Sequence, residues 1–298
     1  MSSAPLILVV LVGLTPDPVV PGDHTRSVRV GMQDRLYSLH VPPSYDSRRP
    51  TPVVLALHPF ATNGAMMARI SGLGETADRE GFLLAYPNGT GRGAFLRWNV
   101  QGRAGEGADD VGYIAAVLDD LAAVADVDPR RVYATGFSNG GMMCYRLASE
   151  LSGRIAAVAP VAGTMTTAEV ETMRPVPILH FHGTRDKLVT YGGRVWRETR
   201  SSRFKGVDET VRSWAAINGC PATPVEVELP RDADDNLVIR RVVYGPGRDA
   251  SEVVLYTIEG GGHTWPGRPP IGSFLGATAL DLKANDLIWE FFRKHPMP

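Results

Sequence analysis

The chain has 298 residues, 44% of them hydrophobic and 21% charged, which is enough to bury a large core. Its 31 basic and 32 acidic side chains leave a formal charge of −1, so no electrostatic case exists for a nucleic-acid partner or an anionic membrane. No internal repeat or low-complexity tract appears, and the two cysteines lack C-x-x-C spacing, so they neither suggest a metal site nor fix a redox compartment.

The first element is the apolar run 6–14, far short of the roughly 18–20 residues that span a bilayer. It has the size of a signal-peptide core, but no Lys or Arg precedes it and no A-x-A site follows. Residues 1–25 are read as an N-terminal apolar segment, an export signal or a tail packed as an edge strand; the first implies an extracellular protein and the second a cytoplasmic one. Residues 26–298 are read as one domain. Residues 28–41 alternate like an antiparallel hairpin. The short apolar runs 52–57 and 82–86 read as buried strands, and so do 132–135, 155–159, 176–181 and 253–258. Asp109 or Asp110 caps a helix to about residue 124, with Val111, Ile114, Ala115, Leu118 and Leu121 along one face. Residues 188–249 are the least regular; 225–229 and 236–244 predict an inserted hairpin around residue 232 that borders the pocket. Residues 281–292 predict a closing helix whose aromatics belong to the core. Strand and helix alternate, which places the chain in the α/β class, with a mostly parallel central sheet flanked by helices and a site at the C-terminal ends of its strands.

The densest chemical signal is Gly136-Phe137-Ser138-Asn139-Gly140. It follows a β-prone stretch and precedes a helix-prone one, the order of a nucleophile elbow, in which flanking glycines let backbone pass where a Cβ would clash. A serine hydroxyl is a poor nucleophile at neutral pH and needs a histidine to take its proton and a carboxylate to orient that histidine. In the order serine, acid, histidine, only His180, His182, His263 and His295 follow Ser138. His180 and His182 lie in an apolar strand-like run ahead of the best acid, and His295 sits three residues from the C-terminus. His263, in the loop Gly260-Gly261-Gly262-His263, remains as the base, and Asp186, just after the 176–181 strand, as its orienter. The pair His180 and His182 has same-face spacing, but no third metal ligand accompanies it.

The chain resembles the polyhydroxybutyrate depolymerase and feruloyl or acetylxylan esterase family of the α/β-hydrolases. The resemblance rests on the stretches at residues 86–90, 97–99, 109–113 and 127–143, on His182-Gly183-Thr184-Arg185-Asp186 and on the segment 260–267, in family order from about residue 29 to 295. It implies an α/β-hydrolase fold and a serine esterase with Ser138, Asp186 and His263 as nucleophile, acid and base. It implies no metal or organic cofactor, and a small-molecule or oligomeric ester as partner. The sequence leaves the oligomeric state open.

Two departures from the family pattern stand out. Family members usually carry His-Gly where this chain has His58-Pro59, and proline has no N–H to offer an oxyanion. The expected donors are the backbone N–H groups of Asn139 and Phe60. A cysteine placed like Cys220 often pairs in the family with one about thirty residues later, where this chain offers none. Trp98, Tyr191 and Trp265 are the expected substrate contacts, the two tryptophans because aromatics in polar, Gly-rich loops commonly face ligand. No Thr/Ser-rich linker occurs within the sequence, and by resemblance this favours soluble esters or oligomers over solid polymer; an esterase acting on hydroxyalkanoate oligomers is the first reading. A feruloyl or acetylxylan esterase is the alternative, a peptidase or lactone hydrolase with the same triad is a rival, and a non-catalytic hydrolase-fold binding protein is the reading from another class.

Overall fold

The computed structural model describes residues 17–101, 107–165, 170–195, 204–231 and 233–298; the apolar run 6–14 and position 232 of the expected hairpin lie outside the described residues. The alternating N-terminal segment forms β1 (Gly22–Val30) and β2 (Gln33–Val41), paired antiparallel with Val30 opposite Gln33. The period of two puts Tyr37, Leu39 and Val41 on the buried face. The apolar run 52–57 becomes β3 (Thr51–Leu57), buried throughout. It is followed by α1 (Gly64–Ser71), α2 (Leu73–Glu80) and β4 (Leu83–Pro87), and then by a small hairpin of β5 (Thr90–Arg92) and β6 (Phe95–Arg97).

Helix α3 (Asp110–Val124) resolves the choice of cap. The Asp109 carboxylate accepts the Gly112 N–H at 2.8 Å, while Asp110 turns inward to the Arg35 guanidinium at 2.7 Å, which also lies 3.6 Å over the Tyr113 ring. The buried face runs through Tyr113, Ile114, Val117, Leu118, Leu121 and Val124; Ile114, Leu118 and Leu121 lie on it as expected, and Val111 and Ala115 at its half-buried margin. Next come β7 (Val127–Phe137), α4 (Asn139–Glu150), β8 (Ala157–Val161), β9 (Ile178–Gly183) and α5 (Val207–Ile217). The irregular region does hold a hairpin, β10 (Val225–Glu228) with β11 (Val238–Tyr244), before β12 (Val253–Glu259) and the closing helix α6 (Ala284–Lys294).

One ten-stranded sheet runs in the order β1-β2-β4-β3-β7-β8-β9-β12-β11-β10. From β4 to β12 all neighbours are parallel, and antiparallel hairpins finish both edges. One face is covered by α3, α4 and α5, the other by α1, α2 and α6. Alternation within β7 feeds both cores: Val132 and Ala134 face the first, and Tyr133 stacks on Phe292 of α6 at 4.6 Å in the second. The chain leaves β3 toward β4 on one side and returns to β7 on the other, which opens a crevice beyond the C-terminal ends of these strands. Val238 lies opposite Glu259, so the turn of the edge hairpin is at that same end of the sheet, though β10 itself is the outermost strand and exposed throughout. Among the described residues no helix is long and apolar enough to cross a membrane.

Candidate active site

Four parallel strands deliver the expected residues to one end of the sheet: β3 leads to Phe60, β7 to Ser138, β9 to Asp186 and β12 to His263. Between β7 and α4 the chain reverses at Ser138 with φ 56° and ψ −116°, a region that costs a non-glycine residue on the order of 1–3 kcal/mol. The surroundings hold it there. Ser138 N–H donates to the Val161 carbonyl at 2.8 Å, and its own carbonyl accepts from Met142 N–H at 2.9 Å. Helix α4 passes so close to β3 that a Cβ at Gly140 would sit 2.1 Å from the Leu57 oxygen, and one at Gly136 would sit 2.6 Å from Gly140. The glycines of the motif are therefore steric requirements of the turn. Ser138 is half-buried, and its hydroxyl makes no hydrogen bond among the described residues, in keeping with contacts that tighten only when substrate binds.

Asp186 and His263 meet in the buried crevice. The carboxylate accepts Leu188 and Val189 N–H on Oδ1, at 2.8 and 2.9 Å, and His263 Nδ1–H on Oδ2 at 2.6 Å. An ionised carboxylate only accepts, so the proton is on Nδ1 and the lone pair of His263 is on Nε2. The imidazole lies on the ring of Phe137, the residue before Ser138, at 4.7 Å between centroids. Its backbone N–H is tied to the Leu275 carbonyl at 2.7 Å. The pair can orient and polarise a histidine beside the elbow.

The expected oxyanion donors are positioned from behind. Asn139 is the first residue of α4, so its N–H has no intrahelical acceptor and lies at the positive end of the helix. The Pro59 carbonyl accepts from the Thr62 hydroxyl and from His58 Nδ1, each at 2.8 Å. In a trans peptide the N–H points opposite to the C=O, so anchoring the Pro59 oxygen inward turns the Phe60 N–H outward. The His58 tautomer follows from its other partner: Gly89 N–H can only donate, so Nε2 accepts at 2.9 Å and Nδ1 carries the proton. Burial pushes this imidazole down to about 4.

Of the three aromatic residues expected at the substrate, two are turned inward. Trp98 and Trp265 are each only 2% exposed, and their indole N–H groups are spent inside, on the His58 carbonyl and on Asn285 Oδ1, both at 2.9 Å. A buried indole N–H needs an acceptor, and here the acceptor lies inward. Trp98 instead joins the two donor segments, because its backbone N–H also donates to Asn139 Oδ1 at 2.7 Å. Tyr191 is half-buried, and its hydroxyl donates to Asp208 at 2.8 Å and contacts the Thr257 hydroxyl. Phe60, by contrast, is 62% exposed. Cys144 is buried, Cys220 partly so, and both are free thiols. His58 and Asp110 make buried contacts that sequence reading missed: the sequence shows Asp110 only as a possible helix cap and His58 only as the neighbour of Pro59.

Comparison with known proteins identifies the family and the fold. Residues 35–190 match the family described as esterase PHB depolymerase. NocK of Nocardia uniformis subsp. tsuyamanensis, whose name assigns it as an esterase, is 33% identical over 283 residues, covering 89% of this chain and 81% of NocK. Feruloyl esterase B of Piromyces equi is 29% identical over 229 residues, 74% of this chain, and the chain spans only 41% of that protein. Among solved structures, an acetyl xylan esterase from Aspergillus awamori aligns with a TM-score of 0.61 at 18% identity, covering 91% of this chain and 99% of its own, a likeness of fold. The sheet order, the flanking helices and a family match over more than half of the sequence give one conclusion: the chain is an α/β-hydrolase and a carboxylic ester hydrolase that belongs to the polyhydroxybutyrate depolymerase esterase family.

Proposed function

We propose that this esterase works through an acyl-enzyme on Ser138, with His263 as general base and Asp186 as its orienter. The observation that carries the reading is the buried 2.6 Å bond from His263 Nδ1 to Asp186, which leaves Nε2 as a base next to a strained serine turn. Ser138 Oγ attacks the ester carbonyl carbon as its proton passes to His263 Nε2. The oxyanion accepts from the N–H groups of Asn139 and Phe60. Collapse expels the alcohol, which takes the proton from His263; a water then gives a proton to the same nitrogen and attacks the acyl carbon, and the second collapse breaks the bond to Ser138 Oγ, which takes the proton back from His263 as the acid leaves. The chemistry draws on no cofactor.

Hydroxyalkanoate oligomers are the proposed substrates, supported by the family match that spans Ser138 and Asp186. A second reading, a feruloyl ester, is favoured by the likeness to feruloyl esterase B and by the exposed Phe60 ring beside the proposed oxyanion donor, an apolar surface suited to an aromatic acyl group. Export is part of the proposal, supported by the apolar run 6–14; the proposed catalytic unit starts earlier than the expected residue 26, because β1 begins at Gly22 and Val19 is buried in the core. The test is turnover of 3-hydroxybutyrate oligomers, methyl ferulate, acetylated xylan and p-nitrophenyl acetate by wild type and Ser138→Ala. Oligomer hydrolysis lost in the variant supports the first reading, and ferulate hydrolysis lost in the variant supports the second. Hydrolysis that survives in folded Ser138→Ala removes the serine mechanism.

A further inference from the structure

Behind Asp186, on the face of the sheet covered by α4 and α5, lies a line of buried polar side chains that the ester chemistry above does not use. The Tyr145 hydroxyl of α4 is 2.5 Å from His180 Nδ1, His180 Nε2 is 3.0 Å from His182 Nδ1, and His182 Nε2 is 2.8 Å from the Val189 carbonyl. His182 Nε2 also lies 3.4 Å from Asp186 Oδ2, the oxygen that receives the His263 proton. Both histidines are fully inside, and their rings stack at 5.3 Å with 14° between planes.

Donor direction follows from the last partner. A carbonyl only accepts, so His182 Nε2 carries its proton and donates it to Val189, with Asp186 Oδ2 alongside. In a neutral imidazole Nδ1 then accepts, which makes His180 Nε2 a donor and His180 Nδ1 the acceptor of the Tyr145 O–H. Burial holds both imidazoles below their ordinary range, His180 well below, so the neutral forms that this chain of bonds requires are the ones present. Val189 is thus held on both sides, its carbonyl by His182 and its N–H on Asp186 Oδ1, while the His182 ring lies beside Oδ2.

We propose that His182 is a positioning residue for Asp186, and that Tyr145 and His180 lock it in the tautomer that presents Nε2–H to the acid loop. The proposal rests on the reading of Asp186 as the orienting acid. Its consequence is that a carboxylate with two backbone donors on one oxygen, the His263 N–H on the other and the His182 imidazole packed 3.4 Å beside it has little freedom to rotate away from His263. A strand-borne histidine pair thus acts on the reaction without touching substrate.

The test is the hydrolysis of p-nitrophenyl acetate by His182→Leu, His182→Gln and Tyr145→Phe, each also made in an Asp186→Ala background. His182→Leu lowers kcat by about ten- to a hundredfold, because a displaced acid misdirects the base, with KM changed by less than about threefold. His182→Gln, whose amide N–H reaches the same place, restores kcat to within about fivefold of wild type. In Asp186→Ala, His182→Leu costs no more than about twofold, since the group it serves is gone. Wild-type kcat in folded His182→Leu, or a full loss repeated in the Asp186→Ala background, overturns the proposal and leaves the triad standing. If Asp186→Ala itself keeps wild-type kcat, the reading of the acid fails instead, and the proposal with it. Should His182→Leu not fold, Tyr145→Phe reads the line from its far end: about threefold lower kcat at unchanged KM is expected only with Asp186 present, and an unchanged kcat refutes the assignment.

Discussion

His58 makes this fold sensitive to acid in a way that one substitution isolates. The ring is fully buried, it accepts Gly89 N–H at 2.9 Å and donates to the Pro59 carbonyl at 2.8 Å, and burial lowers it from 6.5 to about 4. Above pH 6.5 neither folded nor unfolded chain carries the proton, and nothing is lost. As pH falls below 6.5 the unfolded chain takes up a proton that the folded chain refuses until about pH 4, so stability declines across that window. The total is about 3 kcal/mol, of which about 2.5 kcal/mol is spent by pH 4.5. Protonation would also turn Nε2 into a donor facing the Gly89 N–H, which releases the loop that aims Phe60. His58→Gln offers an acceptor and a donor but does not titrate. In urea unfolding at pH 7.5 and 4.5, wild type is expected to lose about 2.5 kcal/mol more than His58→Gln over that interval, whatever the offset between them at pH 7.5. Equal losses, within about 0.5 kcal/mol, would mean that this imidazole does not charge on unfolding and that its assigned tautomer and burial are wrong.

Three further outcomes are expected. Trp98→Phe removes the indole N–H from the His58 carbonyl and should lower kcat about tenfold at nearly constant KM; a large rise in KM with kcat intact would restore Trp98 to the substrate. Gly140→Ala places a Cβ 2.1 Å from the Leu57 oxygen and should cost at least about 3 kcal/mol or abolish folding, read from its unfolding midpoint; a wild-type midpoint would contradict the packing of α4 on β3. A Cβ at Gly247 would lie 2.8 Å from Cys220 Sγ, so Gly247→Cys should form a disulfide closing about 28 residues, with the oxidised variant about 3 kcal/mol more stable than the same variant reduced. The Asn218 oxygen, 2.6 Å from that Cβ, opposes the side chain in either redox state, and Gly247→Ala measures its cost separately. Failure of the thiols to pair under mild oxidant refutes the juxtaposition.

What the sequence made legible and what it hid divide along the range of the interactions involved. The elbow could be read because its steric demands fall within a few residues, Gly136 to Gly140, and the pairing of Asp186 with His263 because few histidines and carboxylates follow Ser138 at strand ends. The strands of the sheet were equally plain, since apolar runs of that length have few other uses. Trp98 and Trp265 were misread because a Gly-rich loop says only that an aromatic is near the surface, whereas their acceptors lie 40 and 20 residues away in the chain. Loop 97–99 shows why such partners matter. It has no regular structure beyond the end of β6, yet Trp98 is held by Asn139 and His58, the Asn99 N–H by Asp110 at 2.6 Å, and the Asn99 carbonyl by Arg146 at 2.5 Å. Those anchors come from α4, the β3 exit and α3, the elements that frame the nucleophile and both proposed oxyanion donors. A segment fixed by hydrogen bonds of such different sequence separation leaves no periodic trace for sequence reading to find. It nevertheless ties the segment that carries Asn139 to the one that carries Phe60, and in the proposed mechanism the separation of those two N–H groups sets which oxyanion the site can hold.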